Sequence, residues 1–332
     1  RVHAPFDEYP RTSGHSSRNQ GTTVRTLLSS TLLVLSLSLS AASLWAASHL
    51  DLGYALLAIW FFALVNNMPF ALMHEAVHGV AADSRRINAF IGTLAGWAFP
   101  TSFSMQRIAH LGHHQRNRTD RELYDYYLPN QSRIVRNLWL YTGNLLGLYW
   151  WCVVFSNLVY AIAPGVYRSR FFVDRIAPAL GFGPYVKELA ELPPIRVWVE
   201  IVLAFAYQLA LFSLLDLNPL AYFLCNMAFA LHWSVLQYAD HAWSARDVQN
   251  GAWNLQVLAP SRWLALNYHY HLAHHQQPQL PWYELPKHVD KKMRQPSFWR
   301  VYFSLWKGVR PAPPMGAPAD LAFLFPENEP TQ

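Results

Sequence analysis

The 332-residue chain alternates between long apolar runs and wet, polar stretches. Four runs, at 24–46, 54–73, 196–215 and 219–237, are long enough to cross hydrocarbon, for which about 20 helical residues suffice. The first carries one charge, Arg25, at its start. The second is interrupted only by Asn66, Asn67 and Pro69. Residues 48–53 join the first two runs, and Asp216, Leu217 and Asn218 join the last two. Links this short form only tight turns. The pattern therefore predicts two transmembrane helical hairpins, four spans in all, each returning to the side on which it began. Two further apolar segments, 87–103 and 134–162, are read as re-entrant or interface-lying helices, because a single crossing by either would put the polar clusters on opposite sides. Trp139, Tyr141, Tyr149, Trp150 and Trp151 suit an interface. Two additional true spans are the structural alternative. The expected fold is an all-α integral membrane protein, with a polar N-terminus at 1–23, one domain over 24–310 and a Pro-rich, partly ordered tail at 311–332.

Charge gives this topology a direction. Both hairpin turns lack Lys and Arg, and each holds one Asp, Asp51 or Asp216. The opposite side carries Arg85, Arg86, Arg107, Arg116, Arg118, Arg121, Arg168 and Arg170 and the basic segment containing Lys287, Lys291 and Lys292. By the positive-inside rule, both termini and the long loops are cytoplasmic. The formal charge of +6 and pI near 9.3 then reflect membrane headgroups and an acidic redox partner, not nucleic acid. The first apolar run is too long for a signal peptide. Only 14% of residues are charged and 52% are hydrophobic, which argues against an ordinary soluble protein.

Histidine changes the picture most. The chain has 15 His against 2 Cys, so a Cys-based zinc or iron–sulfur site is excluded by count. Cys152 and Cys225 lie in apolar stretches and read as buried thiols. His74 and His78 lie in HEAVHG, His110, His113 and His114 in HLGHH, and His271, His274 and His275 in HLAHH. Spacings of i,i+3 and i,i+4 put each group on one helix face. His241 follows the fourth span. These nine candidate ligands are all expected on one side of the membrane. Imidazole suits Fe, Zn and Cu, but nine rings exceed the roughly four a zinc site uses. They fit two irons at four or five each, with room left for oxygen. Glu75 and Asp240 are candidate acceptors that fix the tautomer of a ligand histidine. HEAVH also matches the zinc-peptidase pattern, with Glu75 activating water; that alternative leaves the other six box histidines without a role. A metal transporter is a third class, disfavoured because His232 is the only histidine deep within a span.

In its three histidine boxes, their order and the paired hairpins, the chain resembles the membrane fatty acid desaturase superfamily, which includes hydroxylases and decarboxylases that form terminal alkenes. The resemblance runs over 24–284, and QYADHAWSARDVQNGAWN and NYHYHLAHHQQPQLPWYELP resemble a bacterial branch. It implies a non-haem di-iron centre, O2 as co-substrate, and a fatty acid, acyl-lipid, acyl-ACP or acyl-CoA substrate. It also implies electrons from a separate ferredoxin, rubredoxin or cytochrome b5 type donor and its NAD(P)H reductase, since no haem-binding HPGG segment is fused. The expected location is the bacterial inner membrane. Desaturation is the leading reaction, with decarboxylation to a 1-alkene and hydroxylation as alternatives. Trp97, with Gly92, Gly96 and Phe99, is a candidate for an acyl slot. Arg107, Arg246 and Arg262 are candidates for an anionic head group, and His232 for the slot wall. The competing readings are helix packing, lipid contact and a hydrogen-bonded core histidine.

Overall fold

In a computed structural model, residues 18–179 and 183–325 are described; the expected polar segment up to residue 17 and the last seven residues of the tail lie outside them. Among the described residues the chain is helical with a single two-stranded sheet. Helix α1 (Arg18–His49) pairs with α2 (Leu52–Val65), which continues into α3 (Asn67–Val77), and α10 (Pro194–Leu214) pairs with α11 (Pro219–Ala239). The four candidate spans are Val24–His49, Leu52–Val77, Pro194–Leu214 and Pro219–Ala239, close to the bounds predicted from hydropathy. The break in the second span falls at Asn66, just before Pro69, which has no N–H for the helix ladder. At the break, Asn67 Nδ2 folds back to donate to the Ala63 carbonyl at 2.7 Å and the Leu64 carbonyl at 3.1 Å. Asn218 caps α11 by accepting from Leu220 and Ala221 N–H groups. The two hairpin turns meet: His49 Nε2 donates to the Leu215 carbonyl at 2.9 Å. Both turns therefore lie at one end of the bundle, and every candidate ligand lies towards the other.

Neither extra apolar segment is a straight span. Helix α4 (Arg85–Ala98) has 14 residues, about 21 Å of helix against about 30 Å of hydrocarbon. After α5 (Phe103–Arg116), helix α6 (Arg133–Trp139) runs through a π-helical stretch, Leu140–Leu145, and bends by 82° into α7 (Leu148–Ile162). Gly147, at φ +86°, makes that bend. A Cβ there would lie 2.9 Å from the Ala230 carbonyl carbon, so only glycine lets the bend sit on α11.

Short helix α9 (Gly183–Leu189) packs on α5, and α8 (Ala177–Ala179) packs on α9. The N-terminus of α5 is gripped by a carboxylate from a span. Glu200 of α10 accepts from Ser102 Oγ (2.6 Å), Ser104 N (2.8 Å) and Ser104 Oγ (2.9 Å). Beyond the spans, α12 (Ala259–Leu264), α13 (His271–Gln276), α14 (Phe298–Leu305) and α15 (Leu321–Leu324) build a cap. The described tail is part of it, because Arg310–Pro311 pairs in parallel with Tyr126–Tyr127. At the heart of the cap, wholly buried Asp125 accepts from Arg118 Nη1 (2.7 Å), Tyr238 Oη (2.5 Å) and Trp243 N (2.6 Å). This knot locks the chain leaving α5 to the end of α11.

Candidate metal centre

Three short helices and one loop deliver nine imidazoles to one place. Helix α3 carries His74 and is capped by His78. Helix α5 carries His110, His113 and His114. Helix α13 carries His271, His274 and His275, and His241 follows α11. Helix α13 has only six residues, too few to hold its shape alone. Its exposed N–H groups are met from outside: Leu272 N donates to the Trp253 carbonyl and Ala273 N to Asn254 Oδ1, both at 3.1 Å. The segment after it is tied back to α3, where Glu75 accepts from the Trp282 N–H at 3.0 Å.

The ring nitrogens fall into two sets: His74, His78, His110 and His274 in one, His113, His241, His271 and His275 in the other, each with its donor atoms within 4.8 Å of one another. His114 adjoins the first set, its Nε2 lying 3.0 Å from Nε2 of both His110 and His274. Nε2 atoms of His78 and His110 approach to 2.8 Å, and those of His113 and His275 to 3.2 Å. Burial, then neighbouring imidazoles, hold His78, His110, His114, His271, His274 and His275 below the ordinary imidazole range, and His241 likewise. Neutral rings facing one another at such spacings direct lone pairs into a common space. A cation relieves that repulsion, and a set of four imidazoles fits a metal ion of the first transition row.

Two rings have their tautomer fixed. His113 Nδ1 donates to Glu122 Oε1 at 2.5 Å, and His241 Nδ1 to the Gly251 carbonyl at 2.8 Å, freeing Nε2 in each. Neither Glu122 nor Gly251 stood out in the sequence. Glu122 lies nine residues after its histidine and Gly251 ten after, so neither shares a helix face with its partner. Gly251 is a close-approach glycine: a Cβ would meet Asp247 O at 2.2 Å and Arg118 Cγ at 2.3 Å. Asp240 lies beside two imidazoles, 3.6 Å from His271 Nδ1 and 3.7 Å from His241 Nε2. Burial raises its carboxyl well above the ordinary range.

A cavity of about 440 Å³ opens beside the histidines. Its wall includes His74, His110, His113, His241 and His271, Met105 and Ala109 of α5, Tyr149, Val153 and Val159 of α7, and Trp233 and Gln237 of α11. None of the five residues expected to contact substrate is in that wall. Trp97 packs on Tyr207 at 5.7 Å, with its carbonyl accepting from Gln208. Gly92 and Gly96 sit against Phe103 and the Thr101 carbonyl, so this patch serves helix packing. His232 Nδ1 pairs with Asn67 Nδ2 at 3.0 Å. Buried Arg246 is bound to Asp120 at 2.6 Å. Arg262 lies over the Tyr270 ring, and Arg107 is outside the wall. Apolar and basic composition could not separate these positions from a slot.

The family model described as fatty acid desaturase matches residues 49–306, which contain all nine histidines. The chain belongs to the fatty acid desaturase family. No curated protein gives a match in a sequence search. Membership makes this chain an oxidoreductase of fatty acid metabolism in a membrane, and it retires the peptidase and transporter alternatives. The two histidine sets suit the iron dependence typical of fatty acid desaturases.

Proposed function

We propose that this protein is a di-iron enzyme that uses O2 to oxidise an unactivated C–H bond of a fatty acid or fatty acyl chain, with desaturation to an alkene as the leading outcome. One observation carries the reading: two sets of four imidazoles, with His114 beside them, adjoin a largely apolar cavity whose wall takes His74 and His110 from one set and His113, His241 and His271 from the other. Iron held by these sets would supply the oxidising power, and the protein supplies position. The cavity runs along α7 from Tyr149, stacked on Trp233 at 5.4 Å, to Val159. Ten residues of helix make that wall about 15 Å long. Its far end includes Phe172, Val186 and Leu189, which suits an alkyl tail and excludes water from the reacting carbon. The carbon presented to the histidines decides the product. The basic residues around the cap favour a cytoplasmic site and an acidic, separate electron donor.

A second reading has its own support. Asn144 Nδ2, Trp233 Nε1 and Gln237 Nε2 are buried donors without a hydrogen-bond partner, on residues of the cavity wall. Trp233 and Gln237 lie two turns and one turn before His241. A carboxylate held by these donors would bring the carbons next to it to the metals, which favours oxidative decarboxylation to a 1-alkene. Lipids and headspace hydrocarbons from cells expressing the protein or its His274→Ala variant separate the outcomes. New in-chain double bonds absent from the variant support desaturation. A terminal alkene one carbon shorter supports decarboxylation, and a hydroxy acid supports hydroxylation. Identical profiles from both strains, or active protein containing one zinc and no iron, overturn the proposal.

A further inference from the structure

Four acids are buried among the described residues, and three of them are met by hydrogen-bond donors. Asp125 has three donors, Glu200 is held by serines and Arg196, and Glu75 has the Trp282 N–H. Asp240 is the exception. Its side chain is 0% exposed, and neither carboxylate oxygen has a hydrogen-bond partner. An unpartnered carboxylate in a protein interior costs several kcal/mol, and this chain avoids that cost at its other buried acids. The ring nitrogens beside Asp240 belong to two members of the second histidine set.

The His241 contact is the informative one. With Nδ1 committed to Gly251, His241 presents a bare lone pair at Nε2, 3.7 Å from Asp240 Oδ1. Two acceptors facing each other in a dry site repel unless a cation lies between them. Metal–ligand bonds of about 2.0–2.2 Å place two donors on one ion roughly 3 to 3.7 Å apart, so this spacing is that of two ligands of a single ion. The count agrees. With His114 the first set offers five donors; the second offers four imidazoles.

Resting on the di-iron reading above, we propose that Asp240 is itself a ligand: Oδ1 completes the second set to five donors, while Oδ2 stays 3.6 Å from His271 Nδ1. The two ions are then unlike. One is held by neutral nitrogen alone, and the other carries an anionic oxygen that lowers its net charge and favours its higher oxidation states. This role exceeds orienting a histidine, which an acceptor such as Glu122 performs without touching the metal.

The test uses full-length protein loaded with ⁵⁷Fe, in wild-type, Asp240→Asn and Asp240→Glu forms. Iron per chain and Mössbauer spectra of the reduced protein are the readouts. Wild type is expected to hold two irons in two distinct quadrupole doublets of equal area. Asp240→Asn is expected to change one doublet only and to lower the content towards one iron per chain, with Asp240→Glu restoring both. Asp240→Asn with two irons and a wild-type spectrum would overturn the ligand role and leave the di-iron reading intact. Fewer than two irons in wild type would overturn both. If Asp240→Asn does not fold, a structure of the iron-loaded wild type decides: Oδ1 bonded to the ion supports the inference, and Oδ1 outside bonding range ends it.

Discussion

The two histidine sets share α5 and α13 yet are held in place differently. The first draws His74 and His78 from the end of a span, where packing of α3 against α4 and α5 fixes the rings. His274 keeps a buried Nδ1 without an acceptor. The second draws His241 from a loop and fixes two of its rings by polar neighbours, Glu122 on His113 and the Gly251 carbonyl on His241, while Nδ1 of His271, 3.6 Å from Asp240, and of His275 is as unpartnered as that of His274. Packing gives a stiff site that is hard to tune. Hydrogen bonds give one whose affinity and charge respond to single side chains.

Removing a ligand from either set should have the largest effect. His274→Ala and His271→Ala are each expected to reduce product to background and to lose iron, the first from one set and the second from the other. Iron content and product analysis on the same preparations check this, and full activity in either variant contradicts the shared centre. Next comes the knot that holds both sets in register. Arg118→Ala leaves the buried Asp125 carboxylate without its cation, at an expected cost of about 3–5 kcal/mol, seen as a lower melting temperature. Glu122→Gln tests the comparison directly. It should weaken metal binding about 10–100-fold at the second set and spare the first, whereas Glu75→Gln should affect docking of the Trp282 segment more than metal affinity. Competition with a chelator, followed for each iron, separates the two variants. The smallest effect is expected for Gly251→Ala: overpacking against the Asp247 carbonyl and Arg118 of about 1–3 kcal/mol, a drop in melting temperature and a modest loss of metal from the second set.

The spans and the histidine boxes were legible in the sequence because each is a strong local pattern. Twenty apolar residues or an HxxHH on a helix need no knowledge of the rest of the chain. The apolar segment at 134–162 was legible as a membrane-associated element, but the 82° bend within it was not. What escaped notice works across distance. Glu200 grips α5 from about a hundred residues away, and Asn144 and Gln237 become cavity donors only once the π-helical stretch lies against α11. The expected substrate contacts went to Trp97 and three arginines because an aromatic beside small residues, or a cation near a rim, looks the same in sequence whether it faces a slot or a neighbouring helix.

One feature of the metal centre bears on biosynthesis. Each set takes at least one ring from α13, a little past four fifths of the way along the chain, and α13 keeps its shape only by docking on Trp253 and Asn254. A ribosome that has completed both hairpins has therefore made a membrane-anchored chain with neither cage closed. On the proposed di-iron reading, iron enters only after translation has passed His275, so cells starved of iron should accumulate inserted but protease-sensitive chains, which pulse labelling would reveal.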